Sequence, residues 1–227
     1  EKYLRADMTG WTTPCGISVD YKKKLIFALD TTQAPKGFPD PDWSRIVIFD
    51  FNGNFIRDIN RYDCRKPDAD DNKRTWYADI EVDPELEIIY VSARRFNEIW
   101  AFNYNGELLG KIKGYGKIGV FKDSRIVFSP DNKGLGIYKI KKEEKNIEFQ
   151  QIDYIKLENI GLYHPWGFYA DIETDENGCL YISTPDKTIS FVKWEPDFKK
   201  YSLFSPKYIK IKVDFPNLFF LSGSNVK

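Results

Sequence analysis

The stretch Tyr77-Ala78-Asp79-Ile80-Glu81-Val82-Asp83 recurs 92 residues later as Tyr169-Ala170-Asp171-Ile172-Glu173-Thr174-Asp175. Six of the seven residues are identical in the two copies, which is far more than chance gives in a chain of mixed composition. Further segments align with these two on an isoleucine: ISVDYKKKLIFAL from Ile17, IEVDPELEIIYVS from Ile80, IGVFKDSRIVFSP from Ile118, IETDENGCLYIST from Ile172 and, with one residue dropped, IKVDFPNLFFLSG from Ile211. The sequence is therefore built from internal repeats.

Each repeat predicts a β-hairpin: a short alternating strand, a polar turn, and then a nearly continuous apolar strand. The spacing of the copies predicts units of about 40 to 50 residues, the size of a four-stranded propeller blade. We therefore predict an all-β fold, a β-propeller with five blades or part of a six-bladed ring. The expected units are blade 1 at about 14–59, blade 2 at about 76–113, blade 3 at about 116–157, blade 4 at about 166–204, and a partial blade at 207–227.

The partial blade leaves two ways to complete the ring, because an open ring exposes strand edges that proteins normally cover. Residues 1–10, which contain the predicted strand Tyr3–Met8, close a five-bladed ring, or further blades lie outside the given sequence. The chain begins at Glu1 rather than Met, which indicates a processed or truncated product. The compartment stays open.

The outer hairpins repeat as well as the inner ones. Asn52-Gly53 and Asn105-Gly106 each follow an aromatic alternation, at an offset of 53 residues. Asn-Gly predicts a type I′ turn, in which both central residues have positive φ. Residues 31–43 are expected to form a long loop in blade 1, and the KIKKEEKN run at 139–146 a solvated outer hairpin in blade 3.

Composition limits the domain count and the partners. The 227 residues are 42% hydrophobic and show no linker, so we expect one domain, 1–227. Thirty-four basic and thirty-four acidic residues cancel, so no net charge recruits nucleic acid. No run of about 18 apolar residues predicts a membrane span. Of the three cysteines, Cys15 and Cys64 are expected on one rim, either as a disulfide or as idle thiols.

The repeats resemble the NHL repeats and the related gluconolactonase-like and strictosidine-synthase-like propellers, which are of the six-bladed type. The pattern Pro-x-Gly-Ile-x-Val-Asp followed by Arg-Ile-x-Val-Phe-Asp-x-x-Gly is matched in blade 1 by Pro14, Gly16, Ile17, Val19, Asp20, Asp30, Arg45, Ile46, Phe49, Asp50 and Gly53. There is also a faint similarity to the yellow/royal-jelly propellers. The resemblance implies a fold and only weakly a function, because this architecture hosts unrelated activities.

Paired carboxylates are expected in the central channel, which the first strand of each propeller blade lines. The repeat alignment places Asp79 with Asp171 and Glu81 with Glu173 at equivalent depths. Oxygen ligands of this kind suit Ca²⁺, and a lone histidine argues against zinc. The resemblance to gluconolactonases also implies a metal at this level. The alternative is that these carboxylates cap backbone N–H groups or pair with nearby Lys and Arg.

Loops before the inner strands carry the remaining candidate site residues. His164 precedes the inner strand of blade 4, where it is either a general base or a residue bonded to a loop carbonyl. The same rim of the propeller is expected to gather a ligand-binding set of aromatic residues: Trp43, Trp76, Tyr77, Trp166 and Phe168. Some of these rings are expected to pack between blades instead.

Two functions follow from these features. The first is a binding propeller that presents a loop-rich aromatic and acidic face to a protein or small ligand, without catalysis. The alternative is a Ca²⁺-dependent hydrolase of the lactonase type, with His164 as the base. The sequence contains no Gly-x-Ser-x-Gly elbow and no phosphate-cradling loop, which disfavours serine catalysis.

Overall fold

A computed structural model describes residues 11–33, 42–59, 77–93, 96–114, 116–121, 126–130, 134–143, 146–156, 172–174, 179–183, 189–195 and 200–202. Several predicted features lie outside these residues: the strand Tyr3–Met8, the partial blade from residue 207, Cys64, Trp76, His164, Trp166, Phe168 and Asp171. Of Cys15 and Trp43 only the backbone is described. The disulfide and the roles given to the other residues stay predictions.

The described chain forms four antiparallel sheets, and each sheet consists of four consecutive strands in chain order. Sheet 1 contains β1 (Trp11–Asp20), β2 (Leu25–Gln33), β3 (Asp42–Asp50) and β4 (Phe55–Ile59). Sheet 2 contains β5 (Tyr77–Asp83), β6 (Ile88–Ala93), β7 (Glu98–Asn103) and β8 (Leu108–Lys113). Sheet 3 contains β9 (Gly119–Phe121), β10 (Ile126–Pro130), β11 (Gly134–Lys142) and β12 (Ile147–Lys156). Sheet 4 contains β13 (Ile172–Thr174), β14 (Cys179–Ser183), β15 (Ile189–Glu195) and β16 (Lys200–Ser202). The predicted all-β class is confirmed.

The aspartate that ends the first strand of sheets 1 and 2 shapes the inner hairpin turn. Asp20 Oδ1 accepts hydrogen bonds from the N–H groups of Lys22 (2.8 Å) and Lys23 (2.9 Å). Asp83 Oδ1 accepts from the N–H groups two and three residues later, at 2.9 and 3.1 Å. This local bonding of an aspartate to the turn backbone explains why the repeat carries Val-Asp before the polar turn.

The outer turns of sheets 1 and 2 are not of type I′, so that prediction is wrong. Positive φ occurs at Gly53 (79°) and Gly106 (90°) but not at the asparagine before each glycine. The Gly53 N–H donates to Asp50 O and the Asp50 N–H donates to Asn54 O, both at 3.0 Å. The loop therefore has three residues and ends in a left-handed glycine, which is the type I turn with a G1 bulge.

An aspartate also supports the outer turn of sheet 1. Asp50 Oδ1 accepts from the N–H groups of Asn52 (2.9 Å) and Asn54 (2.8 Å), and Oδ2 accepts from the Asn54 amide (2.8 Å). Hydrogen bonds to the charged form, chiefly from Asn54, hold the pKa of this exposed carboxyl below its usual value. Residue 103 takes the same role in sheet 2, where the Asn103 amide oxygen accepts from two turn N–H groups at 2.9 Å.

The loop predicted at residues 31–43 is shorter in the structure. Strand β2 continues to Gln33 and β3 begins at Asp42, with Thr32 paired to Trp43 in the antiparallel register. Threonine is a good strand former, and the backbone ladder extends through it although the apolar alternation has already stopped. The outer hairpin predicted in sheet 3 is confirmed, since Lys142 pairs with Ile147 and residues 141–143 are exposed.

Two apolar clusters of described residues lie between neighbouring sheets. Seam 1, between sheets 1 and 2, consists of Phe27, Leu29, Ile46, Ile48, Ile59, Tyr77, Ile80, Val82, Ile89, Val91, Ala93, Trp100, Phe102 and Tyr104. Seam 2, between sheets 2 and 3, consists of Leu86, Ile88, Tyr90, Ile99, Ala101, Ile112, Ile118, Val120, Val127, Ile140 and Ile147. Sheet 2 is thus covered on both faces, which explains why its second and third strands are almost continuously apolar.

Candidate functional site

The first strands of the four sheets lie side by side: β1 contacts β5, β5 contacts β9, and β9 contacts β13. Residues at one repeat position are therefore brought to the same level of this inner strand row. Among the described residues, the position before the anchor isoleucine is occupied by Gly16, Asp79 and Lys117, and the position after it by Ser18, Glu81, Gly119 and Glu173.

Asp79 joins sheet 2 to sheet 3. Its side chain is almost fully buried, and its Oδ2 accepts the Ile118 N–H at 2.7 Å, directly before β9. Its Oδ1 accepts from Lys117 Nζ at 3.1 Å. Both oxygens are therefore engaged by protein donors, one of them a cation. This is the arrangement that the sequence offered as the alternative to a metal ligand.

Glu81 joins sheet 2 to sheet 1 at the next level of the inner strand row. Its Oε2 accepts from Ser18 Oγ at 3.2 Å, and the same hydroxyl oxygen accepts the Val82 N–H at 3.1 Å. Ser18 is buried, while Glu81 is half-buried. These two hydrogen bonds through Ser18 fix the position of β5 along β1.

Glu173 is the described member of the predicted acidic set in sheet 4. It is exposed and pairs with Tyr181 in the register of β13 and β14. The next residue, Thr174, donates from Oγ1 to the Val120 carbonyl at 2.7 Å and so connects β13 to β9. Polar contacts between successive inner strands therefore continue from sheet 1 to sheet 4.

The predicted calcium site combines Asp79 and Glu81 of β5 with Asp171 and Glu173. Within the residues that the structure describes, no group of three or more His, Cys, Asp and Glu side chains is placed to hold a metal ion. The Lys117 ammonium next to Asp79 does not favour a second cation at that carboxylate. The site with Asp79, Glu81, Asp171 and Glu173 stays a prediction, because Asp171 lies outside the described residues.

Tyr77 is the one aromatic residue of the predicted ligand-binding set whose side chain is described. Only 2% of its surface is exposed, and its ring meets Trp100 edge-to-face with centroids 6.2 Å apart. Phe96 stacks on the same indole, with ring centroids 5.3 Å apart. Tyr77 therefore packs in seam 1, which leaves little ring surface for a ligand.

An ion-paired arginine holds three strands of sheet 1 together near the loop between β2 and β3. Arg45 Nε donates to Asp30 Oδ2 at 2.8 Å, and Nη1 donates to Asp58 Oδ2 at 3.2 Å. Both side chains are largely buried. The equivalent positions in sheet 2 hold Ala93 and Glu98, so this ion pair is not repeated from sheet 1 to sheet 2.

Sequence reasoning missed a set of polar contacts at the end of the sheets that lies opposite the predicted ligand-binding rim. There the inner hairpin turn of one sheet meets the outer hairpin turn of the next sheet. Tyr104 OH donates to Oδ2 of the fully buried Asp20 at 2.9 Å, across seam 1. Burial, and then the hydrogen bond to Asp20, raise the pKa of Tyr104 well above its ordinary range. At the corresponding place across seam 2, Lys142 Nζ donates to the Leu86 carbonyl at 2.7 Å.

Charged residues of the inner turns add two exposed ion pairs across seam 1. Lys22 pairs with Glu85, and Lys23 pairs with Glu87 at 2.7 Å. Exposed pairs of this kind contribute about 0–1 kcal/mol each. The offset of 63 residues between sheets 1 and 2 aligns the lysine-rich turn with the glutamate-rich turn, so the repeat alignment is the signal that finds them.

Comparisons with known proteins identify the fold. No family model and no curated protein matches the sequence. A candidate 6-phosphogluconolactonase from Bacteroides uniformis ATCC 8492 superposes with a TM-score of 0.56 at 14% identity, over 89% of this chain and 56% of that one. The WD40 repeats of RRP9 superpose with a TM-score of 0.54 at 10% identity, over 85% of this chain and 51% of that one.

A second candidate 6-phosphogluconolactonase, from Bacteroides fragilis NCTC 9343, has a TM-score of 0.51 at 11% identity, over 85% of this chain and 69% of that one. The chain thus spans little more than half the length of the first structures it matches. At these identities the likeness concerns the fold alone, and the NHL repeat class stays a prediction. The described strands, their order and these neighbours together show that the chain has the β-propeller fold, with each four-stranded sheet as one blade.

Proposed function

We propose that this chain is a binding propeller, which presents the rim formed by the loops before its inner strands to a protein or small ligand and performs no chemistry. The observation that carries the proposal is the bonding of Asp79. Its carboxylate is buried and satisfied by Lys117 and by the Ile118 N–H, so it serves to join two blades. Glu81 is likewise tied to Ser18 across the neighbouring seam.

The proposed contact surface comes from the two segments that precede β5 and β13 in the chain. These segments, 60–76 and 157–171, contain Trp76, Trp166, Phe168 and His164. Aromatic rings next to acidic residues suit a protein loop or a sugar, because rings contribute large contact areas and acids orient donors. The likeness to the WD40 repeats of RRP9 is consistent with a protein partner. The balanced net charge gives no support to nucleic acid.

Capture of partners by the immobilised chain tests the role of the rim. We expect the wild type and the control Phe55→Ala, which removes a partly exposed ring on the outer strand β4, to retain the same proteins from a cell extract. The double variant Trp76→Ala/Trp166→Ala should lose them. Retention of one identical set by all three chains would contradict a binding role for the rim.

The second candidate is a Ca²⁺-dependent lactonase-type hydrolase with His164 as the base. Two observations favour it. Glu81 and Glu173 occupy the same repeat position, where Glu81 is half-buried and Glu173 is exposed. The fold is also shared with candidate lactonases. If Ca²⁺ binds the folded chain, a concentration of 100 times Kd adds about 2.7 kcal/mol of stability, or roughly 5–10 °C in Tm for a chain of this size.

Melting in Ca²⁺ and in chelator separates the two candidates. Under the binding proposal the two melting temperatures coincide for the wild type and for Glu81→Gln/Glu173→Gln. A rise in calcium that the double variant loses, together with hydrolysis of a sugar lactone, would favour the hydrolase instead.

A further inference from the structure

One face of sheet 1 is less buried than the same face of its neighbour. We call it the leading face, and it points away from sheet 2. It consists of Ile17, Val19, Ile26, Ala28, Val47, Phe49 and Phe51, and of these only Val47 is buried. The repeat offsets of 63 and 53 residues align these positions with Ile80, Val82, Ile89, Val91, Trp100, Phe102 and Tyr104, all of which belong to seam 1.

The difference in exposure between equivalent residues is large. Ile17 is 63% exposed, whereas the anchor isoleucines of sheets 2, 3 and 4 are 1%, 0% and 2% exposed. Phe51 is 43% exposed, whereas Tyr104 is 9% exposed. The opposite face of sheet 1 packs on sheet 2, with Phe27 and Leu29 both at 0%. Sheet 1 therefore carries a complete seam-forming surface for which the described residues supply no partner sheet.

The chemistry of the leading face restricts what can cover it. Its members are aliphatic and aromatic, and Phe51 at its edge meets the exposed turn residue Tyr21 edge-to-face at 5.9 Å. In seam 1 the equivalent surface of sheet 2 is covered by the apolar second strand of the preceding sheet, through Phe27 and Leu29. The matching partner is thus another repeat hairpin with an apolar second strand.

The chain contains one such hairpin outside the described residues. In the fifth repeat, residues 211–223, the run Leu218-Phe219-Phe220-Leu221 occupies the place of the buried second strand. Leu218 and Phe220 align with Leu25 and Phe27, which point from sheet 1 toward sheet 2. We propose that the leading face of sheet 1 is the docking surface for the fifth repeat of the same chain. Its burial there would complete a seam like seams 1 and 2, independently of any ligand at the loop rim.

Paired aspartate substitutions test whether the face is covered. Ile17→Asp is compared with Ile56→Asp, because Ile56 is 48% exposed on the outer strand of the same sheet. If the fifth repeat covers Ile17, a charge there is buried without a partner, and the folding constant should fall at least about tenfold more than for Ile56→Asp. Equal, small losses in the two variants would overturn the proposal.

A charge exchange tests the identity of the occupant. Phe27 and Ile80, the equivalents of Phe220 and Ile17, belong to one seam. We expect Ile17→Lys and Phe220→Asp each to lower the folding constant, and the double variant to recover part of the combined loss. Strictly additive losses would show that another segment covers the face.

Two measurements on the wild-type chain test the proposal even if the variants do not fold. Hydroxyl-radical footprinting should modify Ile17 and Phe51 as slowly as Ile80 and Tyr104, and more slowly than Ile56. Sedimentation should give the mass of a monomer. Rapid modification of Ile17 would show an open face, and protection together with a dimeric mass would assign the face to a second copy; either result overturns docking in the same chain.

Discussion

Replacement of Tyr104 by phenylalanine isolates one hydrogen bond across seam 1. The Tyr104 hydroxyl donates to Oδ2 of Asp20 at 2.9 Å, and Asp20 is fully buried. The ring itself packs on Phe27 with centroids 4.9 Å apart. Tyr104→Phe keeps this packing and removes only the donor, so the loss of stability reports the bond between the sheets.

The expected loss follows from the charge and burial of the acceptor. A hydrogen bond to a charged group contributes about 1.5–3 kcal/mol, and more is lost when a buried carboxylate has no other donors. Asp20 keeps the Lys22 and Lys23 N–H groups, so the lower part of this range applies, about 2 kcal/mol. In a chain of this size that corresponds to a decrease in Tm of roughly 4–8 °C.

Urea denaturation of the wild type, Tyr104→Phe and Tyr21→Phe measures this difference. Tyr21 is a matched control, because the same hydroxyl is removed from a residue that is 77% exposed. We expect Tyr21→Phe to stay within about 0.5 kcal/mol of the wild type. If Tyr104→Phe also stays within that limit, the bond between Tyr104 and Asp20 does not hold the two sheets together.

Three further outcomes are expected. Burial raises the pKa values of Tyr90 and Tyr104. The charge of Asp83 adds to the rise at Tyr90, and the hydrogen bond to Asp20 adds to it at Tyr104. The folded chain therefore keeps protons that the unfolded chain releases above about pH 10. Stability should therefore be complete below that pH and fall as the pH rises further, as a series of urea midpoints from about pH 8 to 11 would show; an unchanged midpoint would contradict the raised values. Gly53→Ala should cost about 1–2 kcal/mol in thermal melting because its φ is 79°, and Gly106→Ala should cost more because its added Cβ also meets a buried isoleucine side chain at 3.1 Å. Ile80→Ala should lose about 2–5 kcal/mol in denaturant titration, and a loss below about 1 kcal/mol would show that seam 1 is not packed around this residue.

The carboxylates of the inner strand row show where sequence reasoning reached its limit. The repeat alignment placed Asp79 and Glu81 on either side of Ile80 in β5, and the inner strands do lie side by side. It did not predict that Lys117, at the position equivalent to Asp79 in the next sheet, supplies a counterion. The partner of a side chain depends on the distance between two strands, and the alignment of copies contains no such distance.

The outer turns show the same limit at the level of the backbone. Asn-Gly between apolar alternations correctly predicted a hairpin at Gly53 and at Gly106. The choice between a type I′ turn and a type I turn with a bulge depends on the register of the flanking strands, which shifts at Phe49 and again at Phe102. Residues on both sides of the turn decide that register together.

The sequence by itself determined the all-β class, the four-stranded unit and the positions of the hairpins, because strand periodicity and turn residues act over a few neighbouring residues and recur in every copy. Only the tertiary structure decided which faces are buried and which polar groups meet. Ile17 and Ile80 occupy the same position in the repeat, yet within the described part of the chain a neighbouring sheet covers Ile80 and none covers Ile17, because burial depends on whether another sheet lies against that face.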